Sequence, residues 1–395
     1  MAGPLEGIKV LELSRTLAGP FCSMQLGDMG AEVIKVEQPG LGDETRKFTP
    51  PEINGESCYF MSLNKNKKGI TLDLKTEEGQ RIVKQLVAES DVLIENFRNG
   101  TMEKFGLGYD VLKEINPRLV YCAISGFGRT GPMKDEPAYD LLMQGFGGLM
   151  SVTGEPGRPP VKVGFSIVDL GTGLYATLAV VLALLAREKT GKGQYVEASL
   201  FETVVSLSNY LGQNVLATGK APERFGSAHP SLVPYQVFET KDGYVSIAVT
   251  NDALWRKMCD ALELYELKDH PKYSLNVNRV ANREELVEIL TEFTKSKESS
   301  EIIEKLKCAG VPGGPIHDLT QVLAHPQIQH REMIQEVEHP TIGMLKMLGI
   351  PIKLSDTPGA VRKAPPLLGE NTDEVLSQLG YTSCDIAAFK LKGVI

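Results

Sequence analysis

No histidine occurs before residue 229 of the 395-residue chain; all six (His229, His270, His317, His325, His330 and His339) come later. The first half therefore cannot assemble a Ser-His or Cys-His pair from its own residues, and a histidine base would have to come from a second domain or a partner subunit. The six cysteines (Cys22, Cys58, Cys122, Cys259, Cys308 and Cys384) stand singly, with no C-x-x-C pair and no zinc-type spacing. Reduced thiols are expected, and no metal site. Net charge is −8 without any block of like charges, which argues against nucleic acid as a partner. An acidic protein that binds a phosphorylated ligand needs local cations and helix N-termini for it. The longest apolar segment, Leu174 to Ala186, stops at Arg187, Glu188 and Lys189, short of the roughly 20 residues a bilayer requires. It reads as a buried helix, and no membrane contact is expected. The opening MAGPLEGIKVLEL shows neither a basic signal-peptide region nor an Arg-rich transit pattern, so a cytoplasmic location is expected.

A composition of 42% hydrophobic and 23% charged residues is that of a globular protein, and the length suggests two domains. Short apolar runs alternate with helical patterns: strand Ile8 to Leu13, helix Pro20 to Met29, strand Glu32 to Glu37, strand Gly69 to Leu74, helix Glu77 to Glu89, strand Asp91 to Phe97. VLIENF and VYCAISGF are apolar at successive positions, as in a parallel sheet covered on both faces. The fold class is α/β, a Rossmann-like doubly wound sheet with a smaller α+β domain. GQYVEASLFE reads as a further strand. VFETKDGYVSIAV turns at Lys241-Asp242-Gly243 as an antiparallel hairpin, followed by helices near Ala253 to Leu262, Arg283 to Thr294 and Ser299 to Cys308, after which GVPGGPI interrupts the chain. The expected division is 1–211 for the large domain, 212–325 for the small one, and 326–395 returning to the large one. Lys65, Lys67 and Lys68 read as a solvated loop.

Without histidine, a carboxylate is a suitable nucleophile, because it is ionised at neutral pH and needs no base. Asp169, in VGFSIVDLGTGLYA, stands where an extended segment meets the apolar helix, with Gly171 and Gly173 leaving little bulk beside it. Read locally, the same residue serves more readily as the N-cap of that helix.

Ten stretches, in order, resemble the CaiB/BaiF (class III) CoA transferases: LSRTLAGPF, GAEVIKVEQPGLGDETR, LNKNKKGITLDLKTEEG, DVLIENFRNG, MEKFGLGY, ISGFGRTGP, VDLGTGLYA, KTGKGQYVEASLFE, HPSLVPYQVFETKDGY and PPLLGENTDEVL. The resemblance implies an interlocked-ring homodimer and acyl-CoA and carboxylic acids as substrates, with no tightly bound cofactor. Asp169 takes the nucleophile's place. For CoA it implies contacts at Thr16, Leu17, Ala18, Gln38, Leu72, Asp73, Leu74, Lys75, Asn96, Phe97, Arg98, Lys104, Pro137, Ala138, Tyr139 and Asp140; some relatives carry an Arg where Gln38 stands. Arg98 and Lys104 suit phosphates, and Tyr139 is placed to orient Asp169 or the thiol. VTNDALW occupies the position of a glycine-rich lid in the formyl-CoA branch but has no glycine run. RFGSAHPSLVPYQVFETKDGY, GVPGGPI and EVEHPTIG resemble the branch that moves CoA from succinyl-CoA to dicarboxylates such as glutarate or hydroxymethylglutarate. Arg15, Arg46 and Arg224 are the candidate cations for the acceptor's second carboxylate.

Two other enzyme classes fit less well. CoA-ester racemases of this fold place a His before the Asp that aligns with Asp140, where this chain reads Ala138-Tyr139-Asp140. A dinucleotide oxidoreductase would show G-x-G-x-x-G after the first strand, where LSRTLAGP stands. A non-catalytic CoA-binding protein is the remaining alternative.

Overall fold

The computed structural model describes residues 3–395. One compact unit holds the chain to Leu149, Lys162–Thr218 and Pro326–Ile395; the other holds Met150–Val161 and Gly219–His325. Segment 150–161, which hydropathy leaves in the first domain, thus belongs to the second. There the Gly226 amide donates to the Gly154 carbonyl at 3.1 Å.

In the large unit, β1 (Lys9–Glu12), β2 (Glu32–Glu37), β3 (Lys67–Thr71), β4 (Val92–Glu95), β5 (Val120–Ser125) and β6 (Tyr195–Ser199) form one sheet in the order β3-β2-β1-β4-β5-β6. All five pairings are parallel. Successive residues explain the unbroken apolar runs. Val92 and Ile94 enter one core with Val10 and Cys122, while Leu93 enters the opposite core with Leu11 and Tyr121. Both faces are buried, so polar alternation is absent. Strand order reverses between β1 and β4, and their carboxyl ends open the crevice in which ligands of doubly wound folds bind.

Helices α1 (Ala18–Asp28), α2 (Cys58–Leu63), α3 (Glu77–Ala88), α4 (Asp140–Phe146), α5 (Ile167–Thr190) and α6 (Leu200–Leu207) belong to the same unit. α3 starts where the Thr76 hydroxyl accepts the Gly79 amide at 3.0 Å, and it buries Ile82, Val83, Leu86 and Val87 in the core that contains Leu11. Val375 and Leu376 of the C-terminal segment complete that core, whereas α1 and α5 close the opposite one.

Four sequence expectations change. α5 runs for 24 residues and is long and apolar enough to cross a membrane, yet only 39% of its most apolar window is buried. Val168, Ala176, Val180 and Ala183 face the core, while Leu174, Leu178, Leu182 and Leu185 are exposed. LeuPheGlu at the end of GQYVEASLFE is helical, because the Ser199 hydroxyl caps α6 by accepting the Glu202 amide at 3.2 Å. GVPGGPI holds a strand, Gly313–Pro315, paired with the second strand of the hairpin. Lys65 and Lys67 are buried rather than solvated: Lys67 Nζ lies 2.9 Å from Glu12 Oε2, and Lys65 Nζ lies 3.2 Å from Asp28 Oδ2.

In the second unit, Tyr235–Thr240 and Gly243–Ala248 pair antiparallel around the expected turn. Helices Asp252–Ala261, Arg283–Lys295 and Ser299–Cys308 pack Trp255, Leu286 and Ile302 into one core with Val245. VTNDALW is the anchored start of the first of these helices: Asn251 Oδ1 accepts the Leu254 amide at 2.9 Å, and Trp255 is fully buried.

Candidate active site

The start of α5 determines what Asp169 can do. Its N-cap is Ser166, whose side chain makes no capping bond, and Asp169 is the third helical residue. Capping comes instead from α4. Asp140 Oδ1 accepts the amides of Val168 and Asp169 at 2.9 and 3.2 Å, and Asp140 Oδ2 accepts Gln144 Nε2 at 2.5 Å. Gln144 Oε1 in turn accepts the Val163 amide at 2.8 Å, which secures the irregular segment that leads into the helix. Gly173 lets α5 approach α1, since a Cβ there would stand 2.8 Å from the Ala18 carbonyl oxygen. It therefore serves helix packing rather than space for an acyl group.

With Asp140 as the cap, the carboxylate of Asp169 accepts no hydrogen bond from the described residues. Burial, followed by the like charge of Asp140, pushes its pKa up to about 7. The anion is held at a cost that disappears when the group becomes neutral. Tyr59, on α2, carries a phenol close enough to this pair to feel both charges. Burial and the charges of Asp169 and Asp140 push it up to about 12, and it is hydrogen-bonded to Ser166.

Asp169 lines a cleft at the carboxyl edge of the sheet together with Arg15, Thr16, Leu17, Ala18, Asn96, Phe97, Arg98, Pro137, Ala138 and Tyr139. A second cleft holds Gln38, Leu72, Asp73, Leu74 and Lys75, and shares Arg15 and Phe97 with the first. The two clefts thus adjoin, with the Arg15 guanidinium 5.5 Å above the Phe97 ring where they meet. Lys104 lies exposed on the short helix Thr101–Lys104 and lines neither cleft. Asp140 also lines neither, its carboxylate being committed to the cap. Among the described residues no histidine lines either cleft.

The three candidate arginines separate clearly. Arg46 grips Glu37 with two bonds of 2.7 Å, donates to the Pro366 carbonyl and lies 3.6 Å over the Phe60 ring; it is a structural ion pair. Arg224 belongs to the second unit and donates to the Arg158 carbonyl. Arg15 alone lines the cleft with Asp169, half-exposed and only loosely paired with Glu44 at 3.4 Å. Sequence reasoning missed Tyr59 and Arg129. Arg129 lines the cleft while bonding Glu95 at 2.6 Å and the Phe97 carbonyl at 3.0 Å. It stands in the quoted ISGFGRTGP, but nothing local shows that its side chain turns back to β4. Tyr59 has no local signal linking it to residue 169.

Known proteins match the chain over nearly its whole length. A family model, CoA-transferase family III, matches residues 5–372. The chain is 42% identical to the succinyl-CoA:glutarate CoA-transferase of Homo sapiens, covering 99% of this chain and 90% of the relative. It is 38% identical to the succinyl-CoA:mesaconate CoA-transferase of Haloarcula hispanica, covering 96% and 97%. The crystal structure of a CaiB/BaiF family protein from Brucella suis superposes with a TM-score of 0.85 at 42% identity, covering 96% of this chain and all of that one.

Two outcomes follow from the crowded carboxylates. Asp169 is more readily protonated folded than unfolded, so its contribution to stability falls as pH rises from about 4 to about 7 and stays unfavourable above. Asp169→Asn is expected to stabilise the protein by about 2–4 kcal/mol at pH 8, with the gain vanishing near pH 4, as read by denaturant unfolding at both pH values. Asp140→Asn keeps an acceptor for the α5 amides but removes the like charge. The acid limb of any activity that needs ionised Asp169 then shifts to lower pH, measured from kcat/KM between pH 5 and 9.

Proposed function

The chain belongs to CoA-transferase family III, and on that footing we propose that it moves CoA from succinyl-CoA to a dicarboxylate acceptor, with Asp169 as the group that carries the acyl unit. The observation that carries this reading is an ionisable carboxylate that accepts no hydrogen bond from the described residues, raised to about 7, in one of two adjoining clefts lined by the CoA candidates.

Asp169 attacks the donor thioester carbonyl, forming a mixed anhydride and releasing CoA thiolate. The thiolate attacks the aspartyl carbonyl of the anhydride, leaving an aspartyl-CoA thioester and the donor carboxylate. The acceptor carboxylate then attacks that thioester to give a second anhydride and thiolate. Attack of the thiolate on the acceptor's acyl carbonyl yields the new thioester and restores Asp169. No step needs a net proton transfer, in keeping with clefts that histidine does not line. Each acylation converts the Asp169 anion into a neutral group, which relieves both its desolvation and its contact with Asp140. That relief favours the intermediates over the free carboxylate. The α5 amides of Val168 and Asp169 are already bonded to Asp140, so they do not hold the anhydride oxygen.

The two clefts sort the CoA candidates by chemistry. Leu72 and Leu74, with Gln38, offer a mixed apolar and polar wall to the nucleotide end; Arg98, exposed at the mouth of the Asp169 cleft, suits a phosphate. Arg15 is the cation assigned to the acceptor's second carboxylate, since Arg46 is consumed by Glu37. We further assign the exposed Leu174, Leu178, Leu182 and Leu185 stripe of α5 to the contact with a second copy in an interlocked homodimer, because so large an apolar face marks an interaction surface.

Incubation of succinyl-CoA with a panel of mono- and dicarboxylic acids, read by mass of the product thioesters, tests the function. Exchange is expected with C4 to C6 dicarboxylates, and a non-catalytic CoA-binding protein would exchange with none. Arg15→Met is expected to raise KM for dicarboxylates about tenfold or more, in line with loss of a charged hydrogen bond, and to affect monocarboxylates less. Equal effects on both classes would remove Arg15 from acceptor selection.

A further inference from the structure

The loop between β1 and α1 is shaped by side chains brought from elsewhere. Regular pairing ends where the Leu13 amide donates to the Ile94 carbonyl at 2.8 Å. Beyond it, the Ser14 carbonyl accepts Lys35 Nζ at 3.0 Å. The Arg15 amide donates to Asn96 Oδ1 at 2.9 Å, and the Arg15 carbonyl accepts Asn96 Nδ2 at 2.7 Å. The Thr16 amide donates to both oxygens of Asp43 at 3.3 Å. Thr16 has φ of +72°, a left-handed conformation that costs a β-branched residue steric strain. Three consecutive residues are thus clamped, of which Arg15 and Thr16 line the Asp169 cleft and Arg15 also lines the second.

Asp43 and Lys35 form the buried base of this clamp. Both side chains are wholly buried and meet at 2.9 Å. Lys35 also bonds Glu12 at 2.9 Å, while Asp43 accepts the Thr45 amide at 3.0 Å and the Thr45 hydroxyl at 2.8 Å. The Asp43 amide donates to Glu37 Oε2 at 2.9 Å, the carboxylate that Arg46 grips. A glycine makes the return of Asp43 possible: Gly42 has φ of +70°, and a Cβ there would stand 2.8 Å from Arg46 Cδ. A buried ion pair of this kind contributes little net stability, so the arrangement calls for another purpose.

We propose that Asp43, held by Lys35, is a positioning residue for CoA-ester binding: it pins Thr16 in the left-handed conformation that sets the wall formed by Arg15, Thr16, Leu17 and Ala18. The inference rests on the transferase reading above and adds to it a residue, its side chain wholly buried beside the second cleft, that acts through Thr16. Asp169 is placed independently, by Asp140 and α5. Loss of the pin therefore weakens thioester binding without disarming the nucleophile, which appears as a higher KM with kcat little changed.

Asp43→Ala is expected to raise KM for succinyl-CoA about tenfold, the factor that corresponds to the strain of one left-handed residue, while kcat stays within about threefold. Adding Thr16→Gly to it is expected to recover most of that loss, because glycine adopts φ near +70° without being pulled there. Melting temperatures are measured alongside, and if the alanine variant does not fold, Asp43→Ser, which leaves Lys35 a hydroxyl, supplies the same pair of measurements. The inference is overturned if a folded Asp43 variant keeps the wild-type KM, if kcat falls as much as KM rises, or if Thr16→Gly gives no recovery. In those cases wild-type CoA transfer stands untouched. Absence of any CoA exchange by the wild-type protein would instead take down the transferase reading, and this inference with it.

Discussion

The carboxylate of Asp140 sits on the first amides of α5, and the chemistry of the cleft depends on that placement. A helix N-terminus normally stabilises an anion at its end, and Asp169, three residues into the helix, would be the natural beneficiary. Asp140 takes the Val168 and Asp169 amides instead. Asp169 is left with burial and a like charge, and, among the described residues, with no hydrogen bond to compensate for either. The same contact orders the approach to the helix, since Asp140 also accepts from Gln144, which holds Val163. One side chain therefore both orders the start of α5 and raises the cost of the Asp169 anion.

A second constraint governs the other side of the cleft. The buried charges Glu12, Lys35, Asp43 and Lys67 lie beneath the β1 end. Their bonds extend to the backbone of Ser14 and Thr16, and to the Pro20 carbonyl within α1. Polar groups in such a core must all be satisfied or they destabilise it, so the network fixes geometry more than it adds stability. Asp169 and the wall from Arg15 to Ala18 are thus held by separate devices, one built from α4 and α5 and the other from β1 to β3.

Much of the large unit was legible in the sequence for a plain physical reason. Strands buried on both faces read as continuous apolar runs, and VLIENF and VYCAISGF mark β4 and β5. Local turn chemistry likewise disclosed the hairpin around Lys241-Asp242-Gly243. What stayed hidden depends on contacts between distant residues. Asp169 read locally as a helix cap because nothing near it shows that Asp140 performs that task from 29 positions away. Lys67 read as solvated because its partner, Glu12, lies on another strand. Leu174 to Ala186 read as a core helix because hydropathy cannot tell an apolar face that packs on a sheet from one left exposed. Resemblance to a family pointed to Asp169 and to many residues that line the two clefts, yet it did not single out Tyr59 or Arg129, whose placement comes from folding alone.

The central claim is that the Asp169 carboxylate becomes covalently acylated, and chemical trapping tests it most directly. Protein incubated with succinyl-CoA and hydroxylamine, then digested and analysed by mass, is expected to carry a hydroxamate at Asp169 alone, and none when donor is omitted. A hydroxamate at Asp140 or another carboxylate, or full CoA exchange by an Asp169→Ala variant, would contradict the account.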